Sequence, residues 1–128
     1  MYKFAAAIAV LFSLYGCATP VDPQKVDLFD KTIPACVAGP DCDLKWAAAR
    51  TFVVINSKMR FQHVTNDYME TFSPPESEVY LGFRVNKEPA GKDVYQIRVA
   101  AWCSNPYVCV PNAIDAMISF NNYVNNTK

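Results

Sequence analysis

This chain is short of most things that a catalytic or nucleic-acid-binding domain of its size needs. It has one histidine, His63, so no multi-histidine metal centre or proton relay can be assembled. Its four glycines are scattered, which leaves no Gly-rich loop to wrap a phosphate. There is no G-x-S-x-G, H-E-x-x-H or EF-hand pattern, and no C-x-x-C of the thiol-exchange kind. Nothing left in the sequence calls for a cofactor. An excess of one charge is missing as well, because 12 Lys and Arg balance 12 Asp and Glu. That balance argues against DNA or RNA as a partner and against a polybasic grip on anionic lipid. No apolar run reaches the roughly 20 residues that a bilayer span needs.

What is present begins at the amino end. Met1-Tyr2-Lys3 supplies one cation, Phe4 to Tyr15 runs without a charge, and Leu14-Tyr15-Gly16-Cys17 closes the stretch. This is the order of a bacterial secretory signal. The segment resembles the prokaryotic lipoprotein signal, with Leu14 at the aliphatic and Gly16 at the small position of a lipobox; Tyr15 departs from that pattern. The resemblance implies that residues 1–16 are removed and that Cys17 becomes the lipid-bearing first residue. It also implies sorting to the outer membrane, since Ala18 is not Asp, and several acyl chains give the stable anchoring that one chain does not. The alternative is an ordinary secretory signal with Cys17 as a bystander thiol. Removing residues 1–16 deletes only Lys3 among the charges, so the mature chain stands at −1.

Four further cysteines form two C-x5-C pairs, Cys36 with Cys42 and Cys103 with Cys109. An even number in an exported chain reads as disulfides, and the single histidine weighs against zinc. A small domain buries a modest share of its surface, so such bridges are useful to it. Local pairing, Cys36–Cys42 and Cys103–Cys109, is favoured by the equal spacing. A three-stranded sheet would bring all four together and permit crossed pairs, whereas four strands would put the pairs at opposite ends.

Residues 17–35 read as a tether, with Pro20 and Pro23 and no sustained periodicity. Val26 to Ile33 has enough apolar content to dock loosely on the domain. Fully extended, the tether would span about 60 Å and hold the domain clear of the lipid. Residues 36–128 form one expected domain. Its first helix is expected over Leu44–Asn56, with Asp41 or Asp43 at the start and Leu44, Ala48, Thr51 and Ile55 on one face. Met59–Thr65 and Tyr68–Phe72 read as one kinked strand or two. Glu78–Asn86 alternates Val79, Leu81, Phe83 and Val85 against Tyr80, Gly82 and Arg84, and Val94–Trp102 alternates Tyr95, Ile97, Val99 and Ala101 against Gln96, Arg98 and Trp102. Pro89-Ala90-Gly91 is expected to turn between them. A closing helix follows Pro111, with Ala113, Met117, Phe120 and Val124 as its stripe and Asn121, Asn122, Asn125 and Asn126 fraying its end.

The expected fold class is therefore α+β: helix, three- or four-stranded antiparallel sheet, helix, with both helices on one face. That order, together with the lipoprotein signal, resembles the helix-grip domains of BamC, a lipoprotein of the outer-membrane β-barrel assembly machinery. The resemblance covers about residues 41–126 and carries no binding residue across.

Several residues invite chemistry. His63 reads as a half-buried strand residue sooner than a catalytic base. Asp67, Glu70, Glu76 and Glu78 suggest a carboxylate pair for hydrolysis, against a solvated turn with strand-end charges. The outward strand set, Tyr80, Arg84, Gln96, Arg98 and Trp102 around Gly82, holds the side-chain types that dominate protein docking, against a plain solvated ladder. Tyr107, inside the second cysteine loop, is either a presented tip or a lid packed onto Trp102. The expected function is a lipid-anchored binding domain, an accessory or scaffold to a protein partner in the cell envelope and not an enzyme. An inhibitor or immunity lipoprotein against a toxin or hydrolase is the alternative, and a small hydrolase the third.

Overall fold

The computed structural model describes residues 20–128. The lipobox Leu14-Tyr15-Gly16-Cys17 lies outside the described residues. Over these residues three helices and a five-stranded antiparallel sheet make an α+β layer pair. Among the described residues no helix is long and apolar enough to cross a membrane.

The first departure from expectation is the tether. Asp22 accepts from the Gln24 N–H at 2.9 Å, and Pro23 occupies the first turn, so the chain starts α1, Pro23–Lys31, there. The helix packs on the last helix instead of hanging free. It is followed by β1, Ala35–Val37, which pairs with a central strand. Helix α1 and the start of strand β1 thus fall within the 17–35 stretch expected to be a tether, and both elements pack on the rest of the domain.

Helix α2, Pro40–Asn56, starts with Pro40 after Gly39, whose φ of +105° suits glycine, and carries Asp41 and Asp43 in its positive first turn. Its buried side is Cys42, Ala48, Ala49, Phe52 and Val53. The expected face is thereby rotated: Leu44, Val54 and Ile55 are exposed because the sheet and the last helix both approach from the Phe52 side.

Four strands then meander: β2, Phe61–Val64; β3, Tyr68–Thr71; β4, Gly82–Gly91; and β5, Val94–Trp102. With β1 on the far edge, the sheet order is β1-β5-β4-β3-β2, five strands in place of three or four. The candidate first strand is two separate ones. Strand β4 starts later than expected and runs on through Pro89, which lies opposite Tyr95, so the turn falls at Lys92 and Asp93. Both edges are short, which limits unwanted strand pairing.

Helix α3, Ala113–Asn125, is capped by Asn112, which accepts from the Ile114 N–H. The inward sides of β4 and β5 meet both helices: Phe83, Val85, Ile97 and Val99, with Leu81 just before β4, are buried beneath Phe52, Val53, Phe120 and Val124. Phe52 is central, edge-on to Phe83 at 6.0 Å and to Phe120 at 5.4 Å. Each such ring contributes roughly 1.5–3 kcal/mol by burial. The asparagines expected to fray α3 include two ties to α1. Asn121 is fully buried and donates to the Phe29 carbonyl at 3.1 Å and to Thr32 Oγ1 at 3.2 Å, and Asn125 donates to the Thr32 carbonyl at 2.8 Å.

The disulfides are local, Cys36–Cys42 and Cys103–Cys109. The first sits beside Tyr95 at the start of β5, and the second follows its last residue, so they occupy opposite ends of the sheet. Four strands between α2 and α3 make that separation unavoidable.

Candidate functional site

The sheet has one face that no helix among the described residues covers. Alternation places Gly82, Arg84, Asn86 and Glu88 of β4 there, with Gln96, Arg98, Ala100 and Trp102 of β5 alongside. Register decides which of them meet. Gly82 lies opposite Trp102, Arg84 opposite Ala100, Asn86 opposite Arg98 and Glu88 opposite Gln96. Arg98 donates from its guanidinium to Gln96 Oε1 at 3.0 Å and pairs through Nε with Glu88 at 3.2 Å. Two partners thus hold the half-exposed guanidinium in place.

Strand β3 extends the face. Glu70 lies opposite Arg84, and Tyr68 opposite Asn86. The Tyr68 hydroxyl donates to Glu70 Oε2, and this bond to a carboxylate raises the phenol pKa; desolvation and the Glu70 charge add to the rise, while Arg84 opposes it. On β2, His63 faces Glu70 across the ladder. The row His63–Glu70–Arg84 therefore runs across three strands.

At the foot of the face the indole of Trp102 lies over Gly82. A side chain at that glycine would stand 3.0 Å from Trp102 Cε2 and Cζ2 and 3.1 Å from Pro74 Cδ. Here the missing Cβ is the reason the ring can seat. Arg84, Gln96, Arg98 and Trp102 are brought together as the alternation indicated.

Tyr80 is not part of the ladder. It precedes β4, and the Lys58 ammonium, just past α2, lies 4.1 Å from its ring centroid. That cation–π contact covers one side of the ring. Tyr107 does not lie on Trp102: it is 92% exposed at the tip of the Cys103–Cys109 loop, which overturns the lid alternative. Asn105 builds that tip. Its Oδ1 accepts from the backbone N–H groups of Tyr107 and Val108 at 2.9 and 3.1 Å, and its amide donates to the Glu76 carbonyl at 3.2 Å.

His63, expected to be half-buried, is exposed on the edge strand. The sequence cluster of carboxylates is dispersed among different surroundings. Asp67 accepts from Thr65 Oγ1 in the β2–β3 turn, Glu70 joins the open face, and Glu76 and Glu78 belong to the connection before β4. Among the described residues no three His, Cys, Asp or Glu side chains converge as a metal site requires.

Sequence reasoning missed Tyr68, Glu70, Asn86 and Glu88 as members of the face. Their signal was present in the period-2 alternation of β3 and β4, but which strand lies beside which is set by pairing. Asp41 was read only as a helix starter. It also accepts the Val37 N–H at 2.8 Å, and this bond, helped by Lys45, holds its carboxyl below the usual aspartate range. No known protein family, curated protein or solved structure matches this chain.

Proposed function

We propose that this protein is a lipoprotein anchored in the outer membrane through Cys17, whose domain binds a protein partner of an envelope assembly with its open sheet face. The observation that carries the binding half is the helix-free face itself. It holds Arg84, Arg98 and Trp102 on one side of the sheet, with Arg98 paired to Glu88 across the ladder and Trp102 seated over Gly82. Arg and Trp are the side chains that most often dominate binding energy when desolvated by a partner. Pre-orientation lowers the ordering cost of docking. The face mixes guanidinium and carboxylate groups, so it suits a partner surface of mixed charge and not a polyanion.

The anchoring half is supported by the lipobox sequence. Confinement to one membrane raises the effective concentration toward a partner in that membrane, so modest intrinsic affinity suffices. The order α2, four strands, α3 also has the layout of the helix-grip domains that the sequence resembles.

The test is an Arg84→Ala/Arg98→Ala variant of the full lipidated chain, purified by affinity from its own membranes beside the wild type. Both side chains leave the core untouched, so the fold should persist. Quantitative mass spectrometry should show one envelope protein whose recovery falls at least about tenfold, as loss of a hot spot requires. Equal recovery of every co-purifying protein from both samples would sink the reading. A second reading, an inhibitor presenting a braced loop, draws on the exposure of Tyr107. It requires that Tyr107→Ala, and not the arginine pair, releases a soluble enzyme.

A further inference from the structure

We infer that the end of the domain carrying Tyr107 lies against the lipid surface, with the Cys103–Cys109 loop as its interfacial contact. This rests on the reading that Cys17 carries the anchor.

The chain enters the domain at that end. Lys25 pairs with Asp115 in the first turn of α3 at 2.7 Å, and Asn121 reaches the end of α1 one to two turns further along. The two helices therefore run parallel, and the start of α1 is pinned where α3 begins. Pro20 and Val21 form one wall of an open cavity of ≈ 590 Å³, and Pro106, Tyr107 and Val108 form another. The exit of the chain and the tip of the loop are neighbours.

Chain reach then fixes the distance. Three peptide steps lead from Pro20 to Cys17, at most about 11 Å when fully extended. The headgroup layer on one side of a bilayer is about 5–8 Å deep. An acylated Cys17 consequently holds this end within roughly the depth of the lipid headgroups. Nine residues of β5 place the Lys92-Asp93 hairpin about 27 Å away, at the other end of the sheet. The short connection makes the orientation polar: one end down, the other out.

The surface chemistry at the exit fits an interface. Tyr107 is 92% exposed, Val110 57%, Val21 58% and Val108 52%. Tyrosine concentrates where bilayer meets water, because its ring is apolar and its hydroxyl still finds partners. Unsatisfied backbone groups are costly there, and Asn105 already satisfies the N–H groups of Tyr107 and Val108. At the exit of the chain Lys25 pairs with Asp115 and Asp22 caps α1, while Glu76, whose carbonyl accepts from Asn105, adds an exposed carboxylate at the rim of the loop. With no cationic excess, the occupant is the zwitterionic lipid interface and not a specifically anionic one.

The experiment places a photoreactive p-benzoyl-phenylalanine at position 107, or at position 92 as the distal control, in the full chain exported and lipidated in a Gram-negative host. Both sites are exposed, so neither probe disturbs the core. After irradiation of intact membranes, lipid adducts from position 107 should exceed those from position 92 at least tenfold. Intact mass of the same samples reports glyceride on Cys17. Acylated protein with equal or fewer lipid adducts at 107, or with protein adducts there instead, overturns the inference and leaves the anchor standing. A chain without glyceride overturns the anchor and this orientation with it.

Discussion

Cys36–Cys42 closes a loop between β1 and α2 with both cysteines in the core, 2% and 3% exposed, whereas Cys103–Cys109 closes a loop between β5 and α3 whose tip is 92% exposed. Both bridges span the same sequence separation of 6. Loop-closure entropy is therefore equal for the two, about 2 kcal/mol each by the chain-entropy model. What differs is everything the bridge touches. The first packs against Tyr95 and the inner side of the sheet and ties edge strand β1 to helix α2. The second holds up a short loop whose Tyr107 and Val108 face solvent. The same spacing makes a staple at one end of the domain and a presenting frame at the other, and burial is the variable that separates them.

The comparison breaks most easily at the buried bridge. Cys36→Ala/Cys42→Ala should lower unfolding free energy by about 4 kcal/mol, the entropy term plus a cavity term of similar size. Urea denaturation of the oxidised protein measures it. Cys103→Ala/Cys109→Ala should cost only about 2 kcal/mol, with faster amide exchange confined to residues 103–111. Equal losses for the two double variants would erase the distinction drawn here.

A smaller effect sharpens the picture at the loop end, where packing runs through Trp102 next to Cys103. Gly82→Ala should cost about 1–2 kcal/mol, since its Cβ would meet the indole and Pro74 at 3.0–3.1 Å and the ring must shift. Loss of the near-ultraviolet tryptophan signal would accompany it. At the staple end, Asp41 contributes through the Val37 N–H, and its folded pKa is lowered. The sign follows from linkage: the contribution is complete above the unfolded value of about 3.9 and is lost as pH falls through the folded one. The stability gap between wild type and Asp41→Asn should be flat from pH 7 to about 5 and shrink in more acid solution. Smallest of all, Tyr107→Ala should leave stability within about 0.5 kcal/mol, because the side chain touches nothing in the core.

Much of this was legible from residue order. Alternation in β4 and β5 assigned Leu81, Phe83, Val85, Ile97 and Val99 inward and Arg84, Arg98 and Trp102 outward, and burial agrees. The helix stripe of Phe120 and Val124 was equally plain. Local bridges followed from spacing once four strands lay between the helices. Half of the open face was readable in the same way; Tyr68 and Glu70 joined it only when β3 found its register. The rotation of α2 escaped because its second half, Phe52 to Ile55, is apolar on more than one side. Leu44 and Ile55 are as apolar as Phe52 and Val53, and only the approach of the sheet and α3 tells them apart.

Residues 23–37 mark the boundary between the two kinds of information. The sequence by itself determined the α+β class, the two cysteine loops and the inward and outward sides of the long strands, because each is written in spacings of a few residues. Tertiary structure alone decided that α1 and β1 belong to the domain. Asn121 and Thr32 are 89 residues apart, and Ala35 meets Gln96 across a ladder that no local pattern announces. A short helix with no fully buried residue, and a strand of three, carry little periodic signal. Their stability comes from partners far along the chain, which is where local reading stops.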